Sequence, residues 1–380
     1  MFRQLFRPMP LAALVVVLSG SAVAAEPMSF PGADWDEAPP ASQGVDAFKL
    51  AAAMEYLAGN TGRDGTNEAL IVRRGRLIWH GPRIDKVHGV WSCTKSFTST
   101  VAGLLIEDGK CTLDTPARDH MPVLAQTYPA VTLRHFTTMT SGYRAVGDEP
   151  RGSYIHGPSR TWFQPNASPQ FAPPGSKFAY WDSAMNEFGL VLTRIAGEPI
   201  ADLFRRRVAE PIGMNPKAWR WGDFGNVGGL GVKVNGGSGN SGSHIYLSAR
   251  EMARFGHLFL NRGRWRGKQL VSAAWVDAAT RVHVPADLPH GQPECSIDGR
   301  GVYGFNWWVN GTKPDGKRKW PAAPPGTFAA SGFNNNQCFV VPEWEMVAVR
   351  LGLDGNVSDS VWSEFFARLA MAVKTEGDSS

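Results

Sequence analysis

The sequence predicts an α+β fold: an antiparallel sheet flanked by helices, with a mostly helical domain inserted between its strands. Strand-like apolar runs occur near both ends of the chain, in residues 69–80 and 303–351. Residues 115–225 between them hold helical pieces and loops, and no low-complexity linker divides the chain. About 355 residues remain after an N-terminal leader, more than one average domain and enough to bury a large core. The predicted organisation is a discontinuous α/β sheet domain over 45–115 and 245–375, interrupted by the inserted domain over 116–244.

The elements follow in chain order. Met1 to Arg7 is a short basic start, Leu11 to Leu18 is apolar and uncharged, and Ala22-Val-Ala24 fits a small-residue cleavage site. Residues 1–24 therefore read as a secretory signal peptide, the competing reading being an uncleaved anchor. No later stretch reaches the roughly 18 consecutive apolar residues of a transmembrane helix. The mature protein is expected to be periplasmic or secreted, with no stable membrane span. Residues 45–58 carry Val45, Phe48, Ala52, Met54, Tyr56 and Leu57 at amphipathic helical spacing. Ala69–Val72 and Leu77–His80 form a hairpin around Arg73-Arg-Gly-Arg76. A helix opened by Ser92 runs through Phe97, Val101, Leu104 and Leu105 and stops at Asp108-Gly109, a glycine C-cap. Leu133–Phe136 and Glu187–Ile195 are helical. Ser248 and Glu251 make a capping box for a helix through Phe255 and Leu258. Tyr303–Val309, Cys338–Val341 and Met346–Leu351 are strands, and a last helix covers 358–373.

Charge excludes some partners. The chain has 39 basic and 34 acidic residues, net +5; removing Arg3 and Arg7 with the leader makes this +3. Arg205-Arg-Arg207 and Lys317-Arg-Lys319 are too short for a nucleic-acid patch and read as solvated surface charge. The nine histidines are scattered, and no C-x-x-C or H-x-x-x-H cluster occurs, so neither a metal nor any other cofactor is expected. Four cysteines in an exported protein allow two disulfides. A Cys93–Cys338 bridge bracing the site and buried free thiols are both open readings.

The chemistry is carried by three segments. In WSCTKSFTST (91–100), Ser92 and Lys95 lie one helical turn apart, so the amine reaches a hydroxyl that needs a base. With 25 Ser and 12 Lys in 380 residues, composition alone accounts for about one such pair, so its surroundings must decide. In KFAYWDSAMNEFG (177–189), Tyr180 is placed to take the hydroxyl proton, because a nearby ammonium favours phenolate. A half-buried core tyrosine is the plainer reading. In FAASGFNNNQCFVVP (328–342), a strand around Ser331-Gly332 offers backbone N–H groups to an oxyanion; an ordinary edge hairpin is the alternative. Among the 14 tryptophans, Trp181, Trp307 and Trp308 either line an apolar acyl pocket or belong to the core.

The order S-x-x-K, Tyr-x-(Asn or similar) and a Gly-containing strand before Gln…Val-Val-Pro resembles the β-lactamase-related serine hydrolases. That family includes class C β-lactamases, D-amino-acid peptidases, family VIII esterases and 6-aminohexanoate-dimer hydrolases. VTLRHFTTMTSG (131–142), ARFG (253–256) and GRWRG (263–267) are similar to it too, and the likeness spans roughly 45–372. The resemblance implies that Ser92 is acylated, Lys95 helps deprotonate it, and Tyr180 serves as base and then as acid. It also implies an oxyanion hole from the backbone N–H groups of Ser92 and Phe333, with Asp182, Ser331, Gly332 and Trp181 holding substrate.

Two departures narrow this reading. Ala330-Ser331-Gly332 stands where Lys-Thr-Gly is usual, and alanine cannot pair with a substrate carboxylate. Asp182 stands where Asn is commonest; a carboxylate there keeps Lys95 protonated and favours Tyr180 as base, although Asn186 is a second candidate for the amide. No G-x-S-x-G elbow occurs, and SGNSG (238–242) reads as a flexible loop. The expectation is an exported, cofactor-free serine hydrolase acting on a small-molecule ester or amide. The alternatives are a β-lactamase or D-Ala carboxypeptidase, and a non-catalytic module binding peptidoglycan fragments.

Overall fold

The computed structural model describes residues 28–240, 242–355 and 357–373. The leader predicted at 1–24 lies outside them. Helix α1 (Ala47–Asn60) is capped by Asp46, whose carboxylate accepts from the N–H groups of Phe48 and Lys49. The hairpin of β1 (Glu68–Arg73) and β2 (Arg76–His80) turns through Arg74 and Gly75, both at positive φ. Next come β3 (His88–Gly89), α2 (Thr94–Glu107), α3 (Leu133–Thr137), α4 (Asp182–Ala196) and α5 (Ile200–Phe204). Then follow β4 (Trp219–Trp221), β5 (Ile245–Leu247), α6 (Ala249–Leu260), β6 (Arg264–Trp265), β7 (Lys268–Gln269) and α7 (Ala273–Ala279). The chain closes with β8 (Trp308–Val309), β9 (Phe328–Gly332), β10 (Asn336–Val341), β11 (Met346–Leu351) and α8 (Asp359–Ala372).

The main sheet is antiparallel throughout, in the order β2-β1-β11-β10-β9-β8, so strands from both ends of the chain build it, as an α+β fold requires. Residues 116–244 supply α3, α4, α5 and β4 and no strand of this sheet. β1, β10 and β11 are buried at every position because both sheet faces are covered. Side chains alternate across β10. Phe339 packs on Phe366 and Trp362 of α8 at 5.0 and 5.2 Å, whereas Cys338 turns to α6, its thiol donating to the Met252 carbonyl at 3.7 Å. Helix α2 is buried from Thr94 through Leu105, the pattern of a helix enclosed on all sides, between α4, α5 and the edge of β9.

Three local expectations change. Ser92 sits in a 3₁₀ turn, Trp91–Cys93, and α2 begins only at Thr94. The strand expected over Tyr303–Val309 shrinks to β8, because Asn306 takes a left-handed φ of 59° that no extended strand contains. Half of the Ser248 capping box forms: Ser248 accepts from the Glu251 N–H at 3.4 Å, but the Glu251 carboxylate turns to Arg254 at 3.5 Å.

Candidate active site

The turn that carries Ser92 is set by backbone geometry. Trp91, just before Ser92, adopts φ 51°, a left-handed conformation unusual for so large a residue. Two glycines let other segments close on this turn. A Cβ on Gly239 would lie 2.4 Å from the Ser92 nitrogen, and one on Gly332 would lie 2.3 Å from the Val90 carbonyl oxygen and 3.2 Å from the Ser92 nitrogen. The Ser238-Gly239 segment and strand β9 thus approach Ser92 only because neither carries a side chain at the contact.

Lys95, in the first turn of α2, is 1% exposed. Its Nζ lies 2.7 Å from Ser92 Oγ, 2.5 Å from Asp182 Oδ1 and 2.9 Å from Ser238 Oγ, three oxygens for the three N–H donors of an ammonium. The same Nζ stands 4.5 Å from the centre of the Tyr180 ring. Ser238 also donates to Asp182 Oδ1. Asp182 opens α4, and His156 Nε2 lies 3.6 Å from its other oxygen, with Asp148 3.6 Å from His156 Nδ1. Burial pushes the Asp182 carboxyl upward, but the Lys95 ammonium, His156 and the Ser238 hydroxyl outweigh it and hold it at about 2. Asp182 is therefore ionised, and it forms a buried ion pair with Lys95.

Tyr180 is buried and has Ser92 as a side-chain hydrogen-bond partner. Burial, and then the Asp182 charge, push its phenol well above the ordinary tyrosine value. The expectation that the nearby Lys95 ammonium favours the phenolate is corrected on this point: burial and the Asp182 charge prevail, so the resting residue is a phenol. The Gln292 amide clamps the Tyr180 backbone on both sides. Its Oε1 accepts from the Tyr180 N–H, and its Nε2 donates to the Tyr180 carbonyl at 3.1 Å.

Ser92 opens into a cavity of about 600 Å³ whose walls include Tyr154, Tyr180, Trp308, Ser331, Gly332 and Phe333. Gln337 donates to Ser331 Oγ at 2.8 Å and fixes that hydroxyl on the wall. Ala330 lies on the same strand face as Gly332, is fully buried, and brings no charge to that face of the strand.

The structure thus brings together Ser92, Lys95 and Tyr180, with Ser331, Gly332 and Phe333 bordering the same space. Two expected substrate contacts are corrected. Asp182 is 5% exposed and lies behind Lys95, away from the cavity wall, because pairing with the ammonium turns it inward. Trp181 is fully buried, stacked 6.2 Å from Tyr154 and edge-on to His156 at 4.9 Å, so it is core. Trp307 is core as well, packed on Phe255 and Phe259, and of the three tryptophans only Trp308 lines the cavity. Asn186 donates to Asn240 Oδ1 at 3.1 Å, leaving the position beside Lys95 to Asp182. Cys93 and Cys338 are buried free thiols, as is Cys111, and Cys295 is free too. Among the described residues no three His, Cys, Asp or Glu side chains gather as a metal site.

Sequence reasoning missed Ser238, Gln292 and His156. Ser238 belongs to a segment read as a flexible loop, yet it is fully buried and bonded to both Lys95 and Asp182. The one local signal was its glycine neighbour, which the close approach to Ser92 requires.

A sequence model of the family described as Beta-lactamase matches residues 50–352. The D-alanyl-D-alanine-carboxypeptidase/endopeptidase AmpH of Escherichia coli K12 is 29% identical over 144 residues, 35% of this chain and 37% of that protein. A Bacillus anthracis structure described as a 6-aminohexanoate-dimer hydrolase superposes with a TM-score of 0.60 at 22% identity, covering 81% of this chain and 80% of the other. A family VIII carboxylesterase superposes with a TM-score of 0.59 at 17% identity over 87% of this chain and 98% of its own. At such identities the structural likenesses carry the fold.

Proposed function

Because the chain belongs to the Beta-lactamase family of serine hydrolases, we propose that it cleaves small ester or amide bonds through an acyl-Ser92 intermediate. The observation that carries this is the Lys95 ammonium held between Ser92 Oγ and Asp182, with Tyr180 beside both, at the floor of a cavity of about 600 Å³.

The protons balance without a resting phenolate. Ser92 Oγ attacks the carbonyl carbon and passes its proton to the Tyr180 oxygen, while the phenolic proton of Tyr180 goes to the departing alcohol or amine. Lys95 stays an ammonium throughout and stabilises negative charge on both oxygens. The carbonyl oxygen, now anionic, faces the backbone N–H groups of Ser92 and Phe333. Water then attacks the ester, gives its proton through Tyr180 to Ser92 Oγ, and releases the acid.

The likeness to AmpH supports a second reading, release of D-alanine, and the family match extends that reading to the opening of a β-lactam. Ala330 weighs against it, because an alanine methyl cannot pair with a substrate carboxylate at the position where Lys-Thr-Gly supplies a cation. Export to the periplasm or beyond belongs to the same proposal and rests on residues 1–24 of the sequence; the N-terminal residue of the mature protein tests it.

The deciding experiment assays wild type and Ser92→Ala with p-nitrophenyl esters, nitrocefin, D-Ala-D-Ala peptides and the aminohexanoate dimer. Ser92-dependent ester or amide turnover is expected. Nitrocefin or D-alanine turnover would promote the second reading. Absence of any Ser92-dependent turnover and of fluorophosphonate labelling leaves a binding module instead.

A further inference from the structure

Resting on this hydrolase reading and deepening it, we propose that the substrate carries a carboxylate remote from the bond that is cut, and that Lys319 receives it. The residue belongs to a short basic run that reads as solvated surface, yet its side chain is only 13% exposed and forms part of the cavity wall shared with Ser92. The Trp308 ring lies 6.0 Å from that of Tyr180, and Lys319 Nζ lies 4.4 Å from Trp308 and 5.4 Å from Trp320. The ammonium therefore stands one indole beyond the residue that transfers the proton.

The hydrogen-bond inventory of this wall favours an anion. Lys319 Nζ donates to the two oxygens of Asp359 at 3.0 and 3.1 Å, and among the described residues no third acceptor takes its remaining N–H, which can turn to a ligand. Lys313 lines the same cavity and has only a loose partner, Asp315 at 3.8 Å. The two carboxylates on the wall are committed: Asp359 to Lys319, and Asp298 to Arg300 at 2.8 and 3.0 Å. Among the described residues the wall offers spare donors on cations and no uncommitted carboxylate. Burial draws the Lys319 ammonium below its ordinary value, with Asp359 opposing, so a second anion there meets a poorly hydrated partner. With Ala330 uncharged, the anion is held at a distance from the scissile bond rather than next to it. A long-armed carboxylate ester or amide fits this arrangement, and a β-lactam does not.

The test uses p-nitrophenyl esters of hexanoic acid, adipic acid and 6-aminohexanoic acid, which end in a methyl, a carboxylate and an ammonium. The same three end groups are also placed on the alcohol arm. Wild type is expected to favour the carboxylate over the ammonium in kcat/KM by about tenfold on one arm, a preference that shrinks as salt is added. Lys319→Met is expected to lower that ratio about tenfold, Lys319→Arg to retain most of it, and Asp359→Asn to raise it. Equal kcat/KM for the three end groups on both arms overturns the proposal, as does a preference for the ammonium. Calorimetry on Ser92→Ala with monomethyl adipate, methyl hexanoate and methyl 6-aminohexanoate reads the same preference without turnover. Loss of all Ser92-dependent turnover would sink the hydrolase reading, whereas Lys319-independent binding of monomethyl adipate would sink only this one.

Discussion

Asp182 Oδ1 lies 2.5 Å from Lys95 Nζ, so Asp182 forms a buried ion pair with the lysine that bonds Ser92. Both side chains are less than a tenth exposed, which makes this pair the electrostatic centre of the site.

Replacing that carboxylate moves the pH dependence. Asp182→Asn removes the anion that raises Tyr180 and the partner of the Lys95 ammonium, so the alkaline limb of kcat/KM should move to lower pH and kcat should fall about tenfold or more. Stability changes at the acid end. The folded carboxyl sits at about 2, below its ordinary 3.8, so the unfolded chain takes up the proton first as pH falls. Its contribution, about 2 kcal/mol, is present above roughly pH 4 and lost between there and pH 2. The variant should lack that acid-side loss in melting scans. An unshifted pH–rate profile would show that Asp182 does not set the protonation of the site.

Removing the proton carrier should cost the chemistry. Tyr180→Phe keeps the ring contacts with Trp308 and Tyr303 but has no oxygen to relay the Ser92 proton. A fall in kcat of about 10²–10⁴ is expected, with slower fluorophosphonate labelling of Ser92. Wild-type kcat in this variant would take Tyr180 out of the mechanism.

Gln292 acts through Tyr180. Gln292→Ala leaves the Tyr180 N–H and carbonyl without their partners, at a cost of about 1–3 kcal/mol in denaturant melts. If the clamp positions Tyr180, kcat falls too, and the Gln292→Ala/Tyr180→Phe double variant is no slower than Tyr180→Phe alone. Additive losses in that cycle would reduce Gln292 to a structural role.

Glu187 should make stability fall as pH rises. It is fully buried, Tyr143 donates to its Oε2 at 3.4 Å, and its Oε1 has no hydrogen-bond partner among the described residues. Burial raises its carboxyl from 4.5 to about 8, against smaller opposing effects of Tyr143 and Arg194. The folded protein therefore binds the proton more tightly than the unfolded chain. Stability from this group is full below about pH 4.5 and is lost as pH rises through 8. Glu187→Gln should raise Tm at pH 9 relative to wild type and do much less at pH 5. Equal shifts at both pH values would mean that the carboxyl is not neutral in the fold.

What could be read from the sequence was local or ordered along the chain. Ser92 and Lys95 are three residues apart, a spacing that brings them together almost whatever the rest of the fold does, and their 2.7 Å contact follows. The α+β class was legible because strand and helix periods differ, and Tyr180 and Gly332 because they fall in order after the first motif. Trp307 and Trp308 show where local reading stops. Adjacent strand residues face opposite ways, but which face borders the cavity depends on what packs against β8. In this fold Trp307 meets Phe259 and Trp308 meets Tyr180. Ser238 reaches Lys95 across 143 residues, and Gln292 reaches Tyr180 across 112. Lys319 looks like surface charge until the wall of Trp308, Trp320 and Asp359 encloses it. By itself the sequence determined the Ser92–Lys95 contact and the fold class, because periodicity and short spacing act within one element. Tertiary structure alone decided which distant side chains surround them, because burial and pairing charge depend on neighbours the chain supplies from far away.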